Sequence, residues 1–305
     1  MSASPLDRAA EAPLPRDMMH LAGRSDAPGL WRLASHLALL GVAGWLVAIA
    51  PWWGLAPAVL LLGVAMATLF APMHETVHQT AFRTRWLNVV VGWIAAAPGL
   101  YDWHFYRAFH LAHHRHTQDP ARDPELMSGG PPNGRRAYAL RLLGVPYWRF
   151  RFRLIADAWA GDMTAYPYIH PDAAPRVIAS IRAMSLMVGG GCVVAGMVFG
   201  WQAPLLFYVL PALVGQPVLR AYLLTEHTGC SQDRNGLTNT RTMLTSAPVR
   251  WLMWDMPFHA EHHLYPFIPF HRLAQAHGVL RGKLAHVGDG YLRWHLRFAR
   301  ALGLA

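Results

Sequence analysis

Three short clusters of histidines stand out in this chain. The first has two histidines at positions i and i+4, and the other two share the pattern His-x-x-His-His. On a helix, side chains three and four positions apart leave from one face, so each cluster can aim its imidazoles at one point. Imidazole is a ligand for Zn, Cu, Fe and Ni, so the sequence predicts metal binding. These three histidine boxes are His74 and His78, then His110, His113 and His114, then His259, His262 and His263.

The number of imidazoles predicts two metal ions, because eight exceed what one ion with an open coordination position needs. His227 is a candidate ninth ligand, since it leaves the fourth predicted membrane helix on the side where the boxes converge. The alternative for His227 is an interfacial histidine that binds no metal. Ligating histidines usually donate their other N–H to a carboxylate or carbonyl. The candidates for supporting roles around the ligands are Glu75, His104, His116, Asp119, Asp123, Glu226, Asp255 and Glu261. The alternatives are that an acidic residue of this set pairs with a nearby arginine and that His104 and His116 are solvated. His271 and His277 are expected to have structural roles.

The composition indicates a membrane-embedded protein. Of the 305 residues, 53% are hydrophobic and 14% are charged, whereas soluble domains average about 25% charged residues. The net charge of +10 would also fit a protein that binds nucleic acid. However, arginines alternate with aromatic residues in 147–153, which favours a helix at the membrane interface over an RNA-binding stretch and predicts no nucleic-acid partner. The two cysteines, Cys192 and Cys230, support neither a disulfide framework nor a cysteine metal site.

Four apolar stretches predict membrane-spanning helices, which need roughly 20 apolar residues each. Turns rich in Pro, Trp and Gly join them in pairs. The predicted fold is therefore an all-α integral membrane protein with two transmembrane hairpins and a cytoplasmic helical cap that carries the boxes. Glycines 189–191 and Gly196 are expected to let helices approach closely. The predicted spans are about 36–50, 55–72, 177–199 and 204–224.

The segment 86–100 is apolar but too short to span. A full crossing there would put the first two boxes on opposite sides of the membrane, so we expect it to lie against the near leaflet. The connection 73–176 carries 12 arginines and the two far-side turns carry none. The positive-inside rule then places the boxes and both termini in the cytoplasm. This predicts a cytoplasmic tail (1–35), a membrane domain (36–280) and a basic cytoplasmic C-terminal segment (281–305).

The boxes and their surroundings resemble those of the membrane fatty acid desaturase and hydroxylase superfamily. His-His-Arg-His-Thr-x-Asp-Pro-x-x-Asp-Pro overlaps the second box and His-His-Leu-Tyr-Pro-x-x-Pro overlaps the third, as in bacterial desaturase-like members. The resemblance covers roughly residues 36–280. It implies a non-haem di-iron enzyme of a bacterial inner membrane that uses O2 and two electrons. It also implies that the eight box histidines and His227 hold two irons.

The resemblance leaves the reaction open. Desaturation of an acyl chain or similar lipid-like substrate is the leading expectation. A hydroxylase, monooxygenase or ketolase acting on a lipid, carotenoid or small hydrocarbon is the alternative. The sequence contains no recognisable electron-transfer module, so a separate donor of the ferredoxin, rubredoxin or cytochrome b5 type is expected.

Two other classes of protein fit the sequence less well. His74-Glu75-Thr-Val-His78 matches the His-Glu-x-x-His pattern of zinc hydrolases. Two further boxes would be surplus to a single zinc ion. A transporter or metal sensor is disfavoured because no predicted span has an ionisable residue at its midplane.

Overall fold

The computed structural model describes residues 12–13 and 15–303, and over these ranges the chain is mostly helical with very little sheet. The α-helices are α1 (Pro15–Met18), α2 (Asp26–Ile49), α3 (Trp52–Thr68), α4 (Phe70–Val77), α5 (Arg85–Ala96), α6 (Trp103–His116), α7 (Pro124–Met127), α8 (Arg135–Leu142), α9 (Val145–Ala160), α10 (Ala174–Phe199), α11 (Gln202–Pro204), α12 (Leu210–His227), α13 (Ala247–Leu252), α14 (His259–Leu264), α15 (Leu273–Leu280) and α16 (Tyr291–Ala301). Single 3-10 turns occupy Met19–Leu21, Ala97–Gly99, Pro171–Ala173 and Phe270–Arg272, and a π-helical turn occupies Leu205–Val209. The strands β1 (Thr242–Met243) and β2 (Val287–Gly288) pair in parallel, with Thr242 opposite Val287.

Four helices in the described part of the chain are long and apolar enough to cross a membrane, so the prediction of an all-α protein with four candidate spans is confirmed. They cover Asp26–Ile49, Trp52–Val77, Pro171–Phe199 and Gln202–His227. The first begins at Asp26, ahead of the expected start near residue 36. A polar residue of its first turns is satisfied by a distant part of the chain, because Arg32 donates to the carbonyl of Trp251 (2.8 Å) and to Asp255 (3.1 Å).

The second span is the central one. Buried residues make up 61% of its most apolar stretch, against 17, 22 and 28% in the other three. The outer spans expose apolar side chains such as Trp45 and Val194, as expected for surfaces that face lipid. Trp52 and Trp53 are exposed at the first hairpin turn and Trp201 at the second. This placement suits the aromatic belt of a membrane interface.

The second and fourth spans pack together through two glycines. A Cβ atom at Gly215 would lie 2.0 Å from the carbonyl oxygen of Gly63, and a Cβ at Gly63 would lie 2.5 Å from that of Pro211. The expectation for glycines 189–191 was wrong, because a Cβ at any of them would meet no described residue within 4 Å. Gly196 instead accommodates the ring of Trp201, which a Cβ atom at this position would approach to 2.5 Å. Close helix approach therefore depends on a different pair of helices.

The segment after the first box forms the 12-residue helix α5, which is too short to cross a bilayer. Trp86 and Ile94 are exposed on one side, while Asn88 and Val91 are buried on the other. Helix α9 only partly fits the expected interfacial helix. Arg149 and Arg153 are exposed, but Arg151 is 6% exposed. The interior thus contains an arginine that the alternating pattern assigned to the membrane surface.

Gly215→Ala is predicted to destabilise the protein, because its new methyl group would collide with the backbone at Gly63. Overpacking of this kind costs about 1–3 kcal/mol, so the thermal unfolding midpoint in detergent should fall by several degrees. Gly189→Ala is the matched control, since its methyl group would meet no described residue within 4 Å. Equal midpoints for the two variants would contradict the proposed packing.

Candidate metal centre

Four helices bring the histidines to one place. Helix α4, at the end of the second span, carries His74, and His78 follows as its C-terminal cap. Helix α6 carries the whole second box, and α14 carries the whole third. The start of α6 is fixed by Asp102, whose carboxylate accepts a hydrogen bond from the N–H of Phe105 (2.8 Å). His227 is the last residue of α12.

Five box histidines form a first group, in which one nitrogen of each lies within 4.8 Å of the others. The Nε2 atom of His110 is 2.8 Å from that of His78 and 3.0 Å from that of His114. The Nε2 atoms of His74 and His262 are 3.0 Å apart. Each of the three boxes therefore contributes to this group.

A second group contains His113, His227 and His263, again with one nitrogen each within 4.8 Å. The Nε2 atom of His227 lies 3.2 Å from that of His113 and 3.2 Å from that of His259. His259 therefore belongs beside this group. The structure brings all nine histidines singled out in the sequence into two adjoining groups.

The short distances between Nε2 atoms fit shared metal ions. Two imidazoles that bind one ion at about 2.1 Å and at right angles have nitrogens about 3.0 Å apart. The observed separations of 2.8–3.2 Å surround this value. The Nε2 atom of His263 is buried and has no hydrogen-bond partner in the described part of the chain. A cation in each group would satisfy lone pairs that otherwise face one another.

The surroundings keep most of these imidazoles neutral, which is the form that binds metal. Burial and neighbouring imidazoles hold the pKa of His78, His110 and His114 well below its usual range. The pKa values of His259 and His263 are depressed for the same reasons. In His113, burial opposes protonation, but the carboxylates of Glu125 and Asp123 outweigh it and raise the pKa.

Polar groups around the second group orient its rings. Asp123 lies 2.9 Å from the Nδ1 atom of His113, and its other oxygen accepts from the N–H of Gln118 (2.8 Å). The Nδ1–H of His227 donates to the carbonyl of Asn239 (3.1 Å). The hydroxyl of Thr117 lies 3.2 Å from the Nδ1 atom of His263. These contacts leave the Nε2 atoms free to face the centre of the group.

Three other predicted acidic residues lie close to the histidine boxes. Glu226 approaches the Nδ1 atom of His259 at 3.5 Å. Glu261 sits within the third box and lies 2.5 Å from the Nδ1 atom of His277; it also accepts from the hydroxyl of Thr242. Glu75 accepts from the backbone N–H of Phe270 (3.0 Å). Glu75 and Glu261 thus anchor the helices that carry boxes rather than contacting a box imidazole.

The remaining candidates lie away from the imidazoles. Asp119 pairs with Arg122 at 2.5 Å. Asp255 lies in the turn that leads to the third box and has a left-handed φ of +54°. Its ion pairs with Arg32 and Arg250 stabilise this turn. His104 packs edge-on against Trp103. His116 is half-buried, and its side chain has no hydrogen bond to residues 12–13 or 15–303.

Several residues of this site were missed by the sequence reasoning. Asn239 acts through its backbone carbonyl, which carries no signal in its residue type. His277 was given a structural role without its partner Glu261, which lies 16 positions away. Thr117 lies three residues beyond His114 of the second box, and its hydroxyl could have been included among the candidate supporting groups. Glu125 affects His113 electrostatically, although it forms no hydrogen bond with it.

A helical fold with four apolar spans and two adjoining groups of buried and half-buried imidazoles indicates a membrane protein with a candidate two-metal centre. The family model described as "Fatty acid desaturase" matches residues 50–295. This match covers most of the chain and all three histidine boxes. The chain therefore belongs to the fatty acid desaturase family, and an oxidoreductase function follows from that membership.

Relatives with assigned activities include several kinds of enzyme. The chain is 27% identical over 269 residues to an sn-1 oleoyl-lipid 12-desaturase of Arthrospira platensis, covering 82% of this chain and 74% of that protein. It is 26% identical to the dihydrorhizobitoxine desaturase of Bradyrhizobium elkanii, covering 75% and 68%. It is also 26% identical to a zeaxanthin 4-ketolase of Chlamydomonas reinhardtii, covering 88% and 57%. These similarities are consistent with the desaturase and hydroxylase superfamily.

Asp123→Asn is predicted to weaken metal binding in the second group, because a neutral amide would hold the ring of His113 less firmly. Loss of such a supporting partner typically lowers metal affinity by about 10–100-fold. The measurement is bound metal after dialysis against graded chelator. Asp119→Asn in the same loop is the control, since Asp119 pairs with Arg122 instead. Identical retention curves would show that Asp123 does not support a ligand.

Proposed function

We propose that this protein is a membrane di-iron oxidase that desaturates an acyl chain or similar lipid-like substrate. The observation that carries the proposal is the convergence of nine histidines in two adjoining groups. In the balanced reaction, the substrate loses two hydrogens, a donor supplies two electrons, and two protons are taken up. O2 is thereby reduced to two waters.

The proposed ligands are His74, His78, His110, His114 and His262 around one iron, and His113, His227, His259 and His263 around the other. Two irons at these positions would supply the O2 activation and C–H oxidation that side chains cannot perform. Imidazole suits iron as well as zinc or copper, so the choice of iron rests on family membership.

The protein's own residues would position these ligands and keep water away from them. Asp123, Thr117 and the carbonyl of Asn239 fix three rings by their Nδ1 atoms. His74, His113 and His262 are at most 2% exposed. A dry site of this kind protects a strong oxidant from side reactions with solvent.

Oxygen insertion is the second candidate reaction. The zeaxanthin 4-ketolase is named for a reaction that adds oxygen to carbon, and its similarity to this chain extends over 88% of the residues here. The same ligand set would serve either outcome. A zinc hydrolase is a weaker candidate, because the five imidazoles of the first group already exceed the three protein ligands of a catalytic zinc ion, and the second group would be surplus to it.

We further propose that the boxes and both termini face the cytoplasm of a bacterial inner membrane, as the distribution of arginine indicates. Electrons would then come from a separate cytoplasmic carrier of the ferredoxin, rubredoxin or cytochrome b5 type. Arg115 is exposed on α6, the helix that carries the second box. Exposed arginines in a chain with a net charge of +10 would attract an acidic carrier.

Purified protein is predicted to contain iron, with about two ions per chain if both groups are filled. His262→Ala should abolish O2-dependent turnover and lower the iron content, since His262 lies within the first group. His104→Ala is the control, because His104 contacts Trp103 and none of the nine histidines. Metal analysis and oxygen uptake with reductant are the measurements. Zinc at full occupancy, or turnover retained in His262→Ala, would overturn the proposal.

Electron transfer from an acidic carrier is predicted to slow as ionic strength rises from low to moderate, because salt screens exposed charges. The rate of carrier oxidation should fall several-fold between about 10 and 150 mM salt. A small uncharged reductant provides the control and should show no such dependence. A carrier rate independent of salt would exclude docking by charge.

A further inference from the structure

A cavity of about 170 Å³ lies beside the second group of histidines, and His227 forms part of its wall. Phe70, Tyr106 and Phe109 contribute aromatic surface. Four charged side chains also line the cavity, namely Arg141, Arg151, Arg220 and Glu125. The cavity is therefore apolar in part but carries an excess of positive charge.

The three arginines form no ion pairs with the residues that the structure describes. None of them has a carboxylate oxygen within 4 Å in this part of the chain, although Arg32, Arg122 and Arg250 do. Glu125 lies near enough to Arg141 and Arg220 to act on them electrostatically, but its carboxylate accepts no hydrogen bond from them. Arg141 donates to the backbone carbonyl of Gly130, so Arg151 is the arginine of the three that is both buried and least satisfied. A buried charge without a partner is unfavourable for folding.

Arg151 is the arginine with the clearest lack of partners. It is 6% exposed, and its Nε and Nη1 atoms are buried without hydrogen-bond partners in the described ranges. Its guanidinium carbon lies 4.3 Å from the ring centre of Tyr101 and 5.2 Å from that of Tyr147. Contacts with aromatic faces stabilise a desolvated guanidinium but accept no conventional hydrogen bond from its Nε and Nη1 atoms, so they offset only part of the cost of burial. A purely structural arginine would be expected to have a carboxylate or carbonyl partner.

Arg220 lies in the same neighbourhood. Its Nη2 atom donates to the hydroxyl of Tyr101 (2.9 Å), and its guanidinium carbon lies 4.4 Å from the ring centre of Tyr147. Arg151 and Arg220 thus contact the same two tyrosines. Arg220 and His227 are seven residues apart on α12, which is about 10 Å along the helix axis.

We propose that this cavity binds the anionic group of an aliphatic substrate, a carboxylate or a phosphate, between Arg151 and Arg220. The inference rests on the proposed function, and it specifies the substrate class of the same site. The carbon to be oxidised would lie between the anion and His227, within about 10 Å of the anion. A cavity of about 170 Å³ is smaller than the roughly 300 Å³ typical of pockets for drug-sized ligands. It suits a short chain with a charged end.

Binding can be measured without turnover, by the rise in thermal unfolding temperature with ligand concentration. The probes are octanoate, octyl phosphate and the neutral ester methyl octanoate, added to the metal-loaded protein in neutral detergent. We expect at least one anion to bind about tenfold or more tightly than the ester. Preference for octanoate would identify a free carboxylate as the bound group, and preference for octyl phosphate would identify a phosphate head group. Equal binding of all three probes would overturn the inference.

Three variants test the assignment of residues. Arg151→Gln should weaken binding of the preferred anion about tenfold and leave the ester unaffected. Arg153→Gln is the matched control, because Arg153 lies on the same helix with a side chain that is 72% exposed. Glu125→Gln should strengthen anion binding by removing a like charge from the cavity wall. If Arg151→Gln fails to fold, unchanged binding in Glu125→Gln still overturns the inference.

These outcomes separate this inference from the proposed function. A protein that contains iron and consumes O2 but does not distinguish octanoate or octyl phosphate from the ester retains the proposed function and contradicts the anion site. A protein that contains only zinc but binds an anion through Arg151 retains the site and contradicts the di-iron proposal.

Discussion

The structure depends on gathering nine imidazoles in a space that largely excludes water. Neutral imidazole has one donor and one acceptor nitrogen, and a ring that is buried must satisfy both. The Nδ1 atoms of His113 and His227 meet Asp123 and the carbonyl of Asn239. Among the described residues, their Nε2 atoms meet only other imidazoles, at 3.2 Å. A cation is the one partner that can accept all of these lone pairs at once, so the arrangement makes chemical sense as a metal centre.

The membrane spans supply the rigidity that this arrangement needs. The second span is the most buried of the four, and its continuation into α4 delivers the first box. The fourth span packs against it through Gly63 and Gly215 and ends at His227. Because both helices are held backbone to backbone, the ligands at their ends keep a fixed separation. The second and third boxes lie on shorter helices, and buried polar contacts such as that between Glu75 and the N–H of Phe270 fasten the chain beyond the third box to the end of the second span.

Sequence reasoning was sufficient for features that are local in the chain. The boxes follow from i, i+3 and i+4 spacing, and the four spans follow from runs of apolar residues. It failed where the outcome depended on tertiary packing. Glycines 189–191 looked like a packing motif, but their helix face meets no neighbour in the described part of the chain. Asp119 and Asp255 lie as near to the boxes in sequence as Asp123, but nearby arginines pair with them instead. The partner of His227 could not be found because a backbone carbonyl has no residue-specific signal.

Arg151 shows how the membrane pattern and the chemistry of the site overlap. Its neighbours Arg149 and Arg153 are exposed, and the alternation of arginine with aromatic residues in 147–153 describes them correctly. A helix has 3.6 residues per turn, so positions 149, 151 and 153 cannot share one face. Arg151 therefore points inward, towards Tyr101 and Tyr147. A charge in that position is unfavourable for folding unless something compensates it. In the proposed site, the anionic group of a substrate in the cavity beside His227 would pair with this buried charge. The unfavourable burial of Arg151 would then favour anionic substrates over neutral ones.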